Sequence, residues 1–114
     1  MHISEFRYKL KPSVDHNELL SMYDELVAPI CRKIPGFLSA TFCKYSGTGG
    51  SEPEWDYVYV ETWESKEALD KALKDGILGP KPDTEVYKTG FLQKAFSMME
   101  KYSFARASSV YSLK

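Results

Sequence analysis

The sequence predicts an α+β domain with a ferredoxin-like split βαβ layout, helices stacked on one face of a four-stranded antiparallel sheet. Three observations carry that reading. The stretch from Trp55 to Trp63 alternates at period two and runs straight into a helix start capped by Ser65. An amphipathic helical pattern precedes this stretch, another follows it, and strand-like runs stand near both ends, so the order is β-α-β-β-α-α-β. At 114 residues the chain is sized for a single domain, residues 1–114.

Taken in order, Ile3 to Leu10 is the first strand: Phe6, Tyr8 and Leu10 point one way and Glu5, Arg7 and Lys9 the other. Lys11-Pro12-Ser13 stops it. Asp15 with Glu18 reads as a capping box, Ser13 being the alternative cap, and opens a helix from about His16 to Lys33. Leu19, Leu20, Tyr23, Leu26, Val27, Ile30 and Ile34 recur along it at helical spacing. Pro29 removes a backbone donor and crowds the carbonyl four residues back, which predicts a distortion near Val27 to Ile30.

Pro35-Gly36 ends the helix, and Phe37 to Tyr45 reads as the second strand. Ser46 to Glu54 is a glycine-rich loop. A strand follows it rather than a helix N-terminus, so it lacks the context of a phosphate loop. On the third strand Trp55, Tyr57, Tyr59, Glu61 and Trp63 share one face, and Asp56, Val58, Val60 and Thr62 the other. A short helix from Lys66 to about Lys74 buries Ala68, Leu69, Ala72 and Leu73. After the irregular Leu78 to Asp83, a further helix is expected from about Thr84 to Lys101, burying Tyr87, Phe91, Leu92, Ala95, Met98, Met99 and Tyr102, with Gly90 weakening it. Ser103 to Leu113 reads as the last strand.

Fifteen basic and sixteen acidic side chains, net −1, are interspersed, which gives no field for nucleic acid. No apolar run reaches membrane-helix length, and the N-terminus lacks the apolar block of a signal peptide, so a cytoplasmic protein without nucleic-acid or membrane partners is expected. Cys31 and Cys43 have neither metal-ligand nor disulfide-scaffold spacing and read as reduced, buried, small apolar residues. His16, in the first turn of its helix, reads as solvated, and with His2 the only other histidine no metal site is expected. The distinctive quantity is aromatic content, 14% with eight tyrosines, suited to a core edge or a pocket for a ring-shaped ligand.

Helices on one face leave the other face of the sheet bare, yet the third strand carries Val58, Val60 and Thr62 there. A twofold homodimer, sheet against sheet, would cover it, with Glu5, Arg7 and Lys9 pairing across the axis or standing at the rim.

The run Ile34-Pro35-Gly36-Phe37 closing the first helix, followed by Glu61-x-Trp63-Glu64-Ser65 leading into Glu67-Ala68, resembles the antibiotic-biosynthesis-monooxygenase-like members of the dimeric α/β-barrel superfamily. Pro35 to Thr41 is similar to the small cofactor-independent monooxygenases of polyketide pathways. The resemblance implies a homodimer whose two sheets form a barrel, with a pocket in each subunit between sheet and helices. The family it resembles includes oxygenases acting on anthrone-like or quinol substrates without metal or flavin, haem-degrading proteins and uncharacterised relatives; of these the cofactor-independent oxidation of an aromatic, anthrone-like or quinol substrate with O₂ is the activity expected here. Two departures stand out. Such proteins tend to carry an asparagine four residues before the tryptophan and a tyrosine six after it, and these positions are Tyr59 and Leu69 here. Haem-degrading members need an asparagine in the first strand, where Phe6 stands, and a later histidine, which this chain lacks.

The candidate catalytic residues are Trp63, Glu61 and Tyr59. Trp63 matches the family's pocket-lining tryptophan or is a large core residue. Glu61, between two aromatics, is a proton acceptor or donor with a raised pKa, or a carboxylate held by structural partners. Phe6, Tyr8, Tyr23, Leu26, Tyr57 and Leu69 are the candidate pocket wall for a hydrophobic or aromatic small molecule. Arg106 either binds an anionic ligand group, pairs with Glu61, or faces solvent or an interface. Three functions fit: a cofactor-independent monooxygenase; a non-oxygenase ligand-binding or isomerase/cyclase protein using the same pocket; or a structural dimer with a filled core.

Overall fold

The computed structural model describes residues 1–46 and 54–113. Most of the loop expected over residues 46–54 therefore lies outside the described residues. Strand β1 (His2–Leu10) leads to a helix in three parts, α1 (His16–Met22), a π-helical turn (Tyr23–Val27) and α2 (Ala28–Cys31). Then come β2 (Phe37–Lys44), β3 (Tyr57–Trp63), α3 (Lys66–Lys74), α4 (Glu85–Lys88), α5 (Phe91–Ser97) and β4 (Met99–Ser108). The strands form one antiparallel sheet in the order β2-β3-β1-β4, the split βαβ arrangement.

Local chemistry explains the boundaries. The Asp15 carboxylate accepts from the Asn17 N–H at 2.9 Å and caps α1. The capping box is only half made, because the Glu18 carboxylate faces Lys94 at 3.9 Å instead of returning to the cap. Ser13 is no cap; it occupies a left-handed turn at φ 69°. The distortion caused by Pro29 falls one turn before the proline. The Ala28 N–H bonds to Tyr23 O, five residues back, and this widened turn lets the chain pass the carbonyl that the proline ring would otherwise strike. Ser65 accepts from the Ala68 N–H at 3.2 Å and starts α3, as expected.

The long helix expected over Thr84 to Lys101 does not form. Thr84 caps α4, Gly90 takes φ 84° and breaks the helix, and α5 stops at Ser97. Met99 pairs with Leu10, so β4 begins there and ends at Ser108, short of Leu113. Tyr102 is consequently an exposed edge-strand residue, and Val86, rather than the half-buried Tyr87, fills the core from α4. β3 begins at Tyr57 rather than Trp55; just before it the Asp56 N–H donates to Tyr8 O at 3.0 Å, its carbonyl accepts from the Tyr45 N–H at 3.0 Å, and its carboxylate accepts from the Leu10 N–H at 3.2 Å.

The core lies between the helices and the sheet face carrying Tyr8, Tyr59, Glu61 and Trp63. Tyr8, Leu19, Cys31 and Trp63 are its fully buried side chains. The opposite face carries Val58, Val60 and Thr62, which the strand register sets beside Glu5, Arg7, Thr41 and Cys43. Among the described residues no element packs over it. Cys43 is therefore exposed, contrary to the expectation of burial, whereas Cys31 is buried as expected. Leu73 also remains partly exposed at the end of α3. No helix among the described residues is long and apolar enough to cross a membrane.

Candidate functional site

Strand alternation determines what faces the helices. Phe6 lies between Tyr59 and Phe104, and Ser4 between Glu61 and Arg106, so three neighbouring strands present an aromatic row beside a polar row. Above these rows the helices do not close. A cavity of about 580 Å³ remains between β1, β3, β4 and the π-helical turn, α3 and α5, bounded mostly by apolar side chains. That is the size range of small-molecule sites.

Of the sequence-predicted residues, Phe6, Tyr8, Tyr23, Tyr59, Glu61, Leu69 and Arg106 line this cavity. Trp63, Tyr57 and Leu26 do not. Trp63 is fully enclosed, edge-on to Phe37 with ring centroids 5.3 Å apart, and reaches the site only through Glu61. Tyr57 stacks on Tyr8 and His16 at the far end of the sheet. Leu26 packs against the core from the π-helical turn without reaching the lining.

A directional hydrogen-bond chain crosses the cavity wall. Glu61 Oε1 accepts from Trp63 Nε1–H at 3.2 Å, and Oε2 accepts from the Tyr59 hydroxyl at 2.6 Å. The Tyr59 oxygen in turn lies 2.5 Å from the Tyr23 hydroxyl. With Tyr59 donating to the carboxylate, Tyr23 must donate to Tyr59, so every proton in the chain points toward Glu61. The π-helical turn, which begins at Tyr23, brings this phenol against β3. Glu61 keeps an accessible edge where it meets the cavity, but its surroundings are otherwise protein.

Burial raises the Glu61 pKa above its ordinary value, and the bonds from Tyr59 and Trp63 pull the other way. Burial and the neighbouring carboxylate push Tyr59 up, and burial does the same to Tyr23. Burial, with Glu61 adding to it, takes the Cys31 thiol up to about 12, so this cysteine is a thiol and not a nucleophile. The site therefore sets one carboxylate, Glu61, with its pKa raised by burial, among hydroxyls that remain protonated, which makes it the candidate proton acceptor.

Arg106 does not pair with Glu61. Its Nη2 donates to Asp70 Oδ1 at 2.7 Å and its Nε to His2 Nε2 at 3.0 Å. His2 must therefore carry its proton on Nδ1, which donates to Ser108 Oγ at 2.8 Å. Burial first and Arg106 second lower the His2 pKa, whereas Lys66 and Arg106 hold the Asp70 carboxyl at about 2.

A second pair went unforeseen. The Tyr8 hydroxyl and His16 Nε2 are 2.6 Å apart, and the imidazole stacks on Tyr57 at 3.6 Å between centroids. His16 is thus half-buried rather than solvated, and burial lowers its pKa, favouring the neutral imidazole beside the Tyr8 phenol. Its only sequence signal is the aromatic Tyr8/Tyr57 row; the contact itself joins α1 to β3. Among the described residues no three His, Cys, Asp or Glu side chains gather as a metal site.

No family model matches the chain, and no curated protein sequence does. Solved structures do. An antibiotic biosynthesis monooxygenase superimposes with TM-score 0.63 at 20% identity, covering 97% of this chain and 100% of its own. SnoaB, a cofactor-independent oxygenase from Streptomyces nogalater, gives TM-score 0.62 at 17% identity over 98% and 95% of the two chains. A dimeric ferredoxin-like protein of unknown function from Thermobifida fusca gives 0.62 at 15% identity over 96% and 92%. These likenesses show the fold: the chain has the α+β ferredoxin-like architecture of antibiotic biosynthesis monooxygenases.

Proposed function

We propose that the protein is a small oxygenase that oxidises an aromatic, anthrone-like or quinol substrate with O₂ and no bound cofactor. The observation that carries this is a single buried carboxylate, Glu61, fed by the Tyr59 and Tyr23 hydroxyls at the wall of an otherwise apolar cavity of about 580 Å³. The fold shared with SnoaB and an antibiotic biosynthesis monooxygenase supports it.

In this reading Glu61 takes a proton from the activated C–H or O–H of the substrate, and the hydroxyl chain stabilises the charge that moves. The substrate carbanion gives an electron pair to O₂, forming a C–O bond, and the peroxide anion takes back the proton Glu61 held to become a hydroperoxide. Its O–O bond then breaks as the same carbon gives up its remaining hydrogen, so one oxygen stays as the new carbonyl and the other leaves as water. Tyr59 positions the carboxylate from inside the cavity and Trp63 from behind it. Phe6, Tyr8, Tyr23, Leu69 and Arg106 contact the substrate in this proposal. Incubation with anthrone and quinol panels under air tests it. Turnover should exceed buffer and fall on Glu61→Gln; rates equal to buffer across the panel would reject the oxygenase.

A second reading rests on the Tyr8–His16 pair, 2.6 Å apart, of which Tyr8 lines the cavity. With His16 in the tautomer whose Nε2–H donates to the Tyr8 oxygen, the phenol would keep its own proton to polarise a substrate carbonyl while Glu61 removes a proton, which is isomerase or cyclase chemistry needing no O₂. Conversion that persists under anaerobic conditions would select it. The cavity weighs against the third expectation, a structural dimer with a filled core.

We also propose a cytoplasmic homodimer formed through the bare sheet face. The uncovered Val58, Val60 and Thr62 support it, as does the dimeric ferredoxin-like neighbour from Thermobifida fusca.

A further inference from the structure

We infer that the cavity selects a hydrophobic aromatic molecule bearing one anionic group, with the Arg106 guanidinium as its anchor; this rests on the cavity being a ligand site. Among the described residues, Arg106 and Glu61 are the only charged side chains lining it. The Glu61 oxygens are both committed, to Tyr59 and to Trp63. Arg106 is not fully committed. Nε is held by His2 and Nη2 by Asp70, while Nη1 has no hydrogen-bond partner among the described residues.

Those two bonds fix the guanidinium plane, so a carboxylate or phenolate meeting the free edge loses little conformational freedom on binding. Charge favours the same ligand. Asp70 is shared between Arg106 and Lys66, at 2.7 and 2.6 Å, and His2, accepting from Arg106, is neutral. The hydrogen-bonded cluster thus carries two cations for one carboxylate; Lys66 and Asp70 stand on its exposed side and Arg106, the least exposed of the three charges, meets the apolar space. Ser4, between Arg106 and Glu61 in the register, adds a hydroxyl at the floor.

The register also sets the ligand's length. Arg106 and Glu61 both pair with Ser4 from opposite sides, placing their backbones two strand spacings, about 10 Å, apart. A ligand anchored by its anionic group at Arg106 would bring an atom one to two fused rings away to Glu61. Arg106 is then the specificity-determining residue, and His2 and Asp70 are positioning residues.

The test is fluorescence titration of the full chain with 9-anthracenecarboxylate and with 9-anthracenemethanol, which share rings and differ in charge. We expect the acid to bind at least tenfold more tightly, Arg106→Met to erase that preference, and Arg106→Lys to keep part of it. Equal affinity of the wild-type protein for the two ligands would overturn the anchor while leaving the ligand site intact. Binding of neither at millimolar concentration would overturn the ligand site and the anchor together. The wild-type comparison alone decides the point should Arg106→Met fail to fold.

Discussion

Tyr59 and Glu61 leave β3 two residues apart on one face, and the Tyr59 hydroxyl donates to the Glu61 carboxylate at 2.6 Å. The strand's own pleat creates this contact, since residues i and i+2 share a face. A carboxylate thus shares a cavity wall with the phenol that feeds it. Its two oxygens accept from two different donors, Tyr59 and Trp63, which only a group with acceptors at both positions can do.

Glu61→Gln places an amide NH₂ against one of those two donors. Turnover should fall by about 10² to 10⁴, the usual contribution of a positioned general base. The fold should lose about 1–3 kcal/mol, because one buried donor loses its acceptor. Steady-state rates and urea midpoints measure the two effects separately. A variant as active as the parent would remove Glu61 from the chemistry.

Trp63→Phe keeps most of the buried ring and deletes only the N–H. Trp63 touches no part of the cavity, so a purely structural role would change stability alone. A positioning role predicts more. Loss of one of the bonds that pull the Glu61 pKa down should move the rising limb of the pH–rate profile toward alkaline pH. An unshifted profile would leave Trp63 as core packing.

The β3 alternation and the Ser65 cap could be read from sequence because period two and capping are local. So could the candidate wall, where Phe6, Tyr8, Tyr59 and Glu61 share a face through the pairing of two predicted strands. What was not legible depended on partners distant in sequence. Met98, Met99 and Tyr102 fit a helical stripe equally well, and the pairing of Met99 with Leu10 is what makes Met98 the C-terminal cap of α5 and puts Met99 and Tyr102 in a strand. His16 at a helix start looks solvated until Tyr57 is stacked against it. Trp63 reads as a pocket residue by position, but Phe37 and the core close around it.

The two histidines give the stability a pH signature. Both His2 and His16 sit below the ordinary value of 6.5 in the folded state. The unfolded chain therefore binds their protons at higher pH, so their contribution is full above about 6.5 and declines as the pH falls through the lowered folded values. Glu61, shifted upward, acts with the opposite sign, so the informative quantity is a difference. His16→Gln retains a hydrogen-bond partner for Tyr8 without titrating. Between pH 7 and pH 5 it should lose less stability than the parent, by up to about 1.4 kcal/mol per pH unit. Parallel urea curves at both pH values would contradict the role of the Tyr8–His16 pair.

The bare sheet face predicts an oligomeric state. Light scattering should return about twice the 13.0 kDa of one chain. Val60→Lys puts a charge at the centre of that face without touching the cavity side, so it should shift the mass toward one chain while the protein stays folded. A parent protein measured at 13.0 kDa would overturn the sheet-to-sheet dimer.

Gly36 tests the fold at the turn after the first helix. It sits at φ 85°, and a Cβ built there would come within 2.5 Å of the Ala68 Cβ on α3. Its carbonyl also accepts from the Glu64 N–H at 2.8 Å, so this turn joins the entry of β2 to the end of β3. Gly76, at φ 75°, has open space around its missing Cβ. Alanine at either position meets the left-handed backbone cost of about 1–2 kcal/mol. Only at Gly36 must α3 also move away from the sheet, and overpacking of that kind adds about 1–3 kcal/mol. Gly36→Ala should therefore destabilise clearly more than Gly76→Ala in urea titrations. Because α3 carries Leu69 to the cavity and Asp70 to Arg106, it should also weaken ligand binding. Equal midpoints for the two variants would show that α3 is not pinned against this turn.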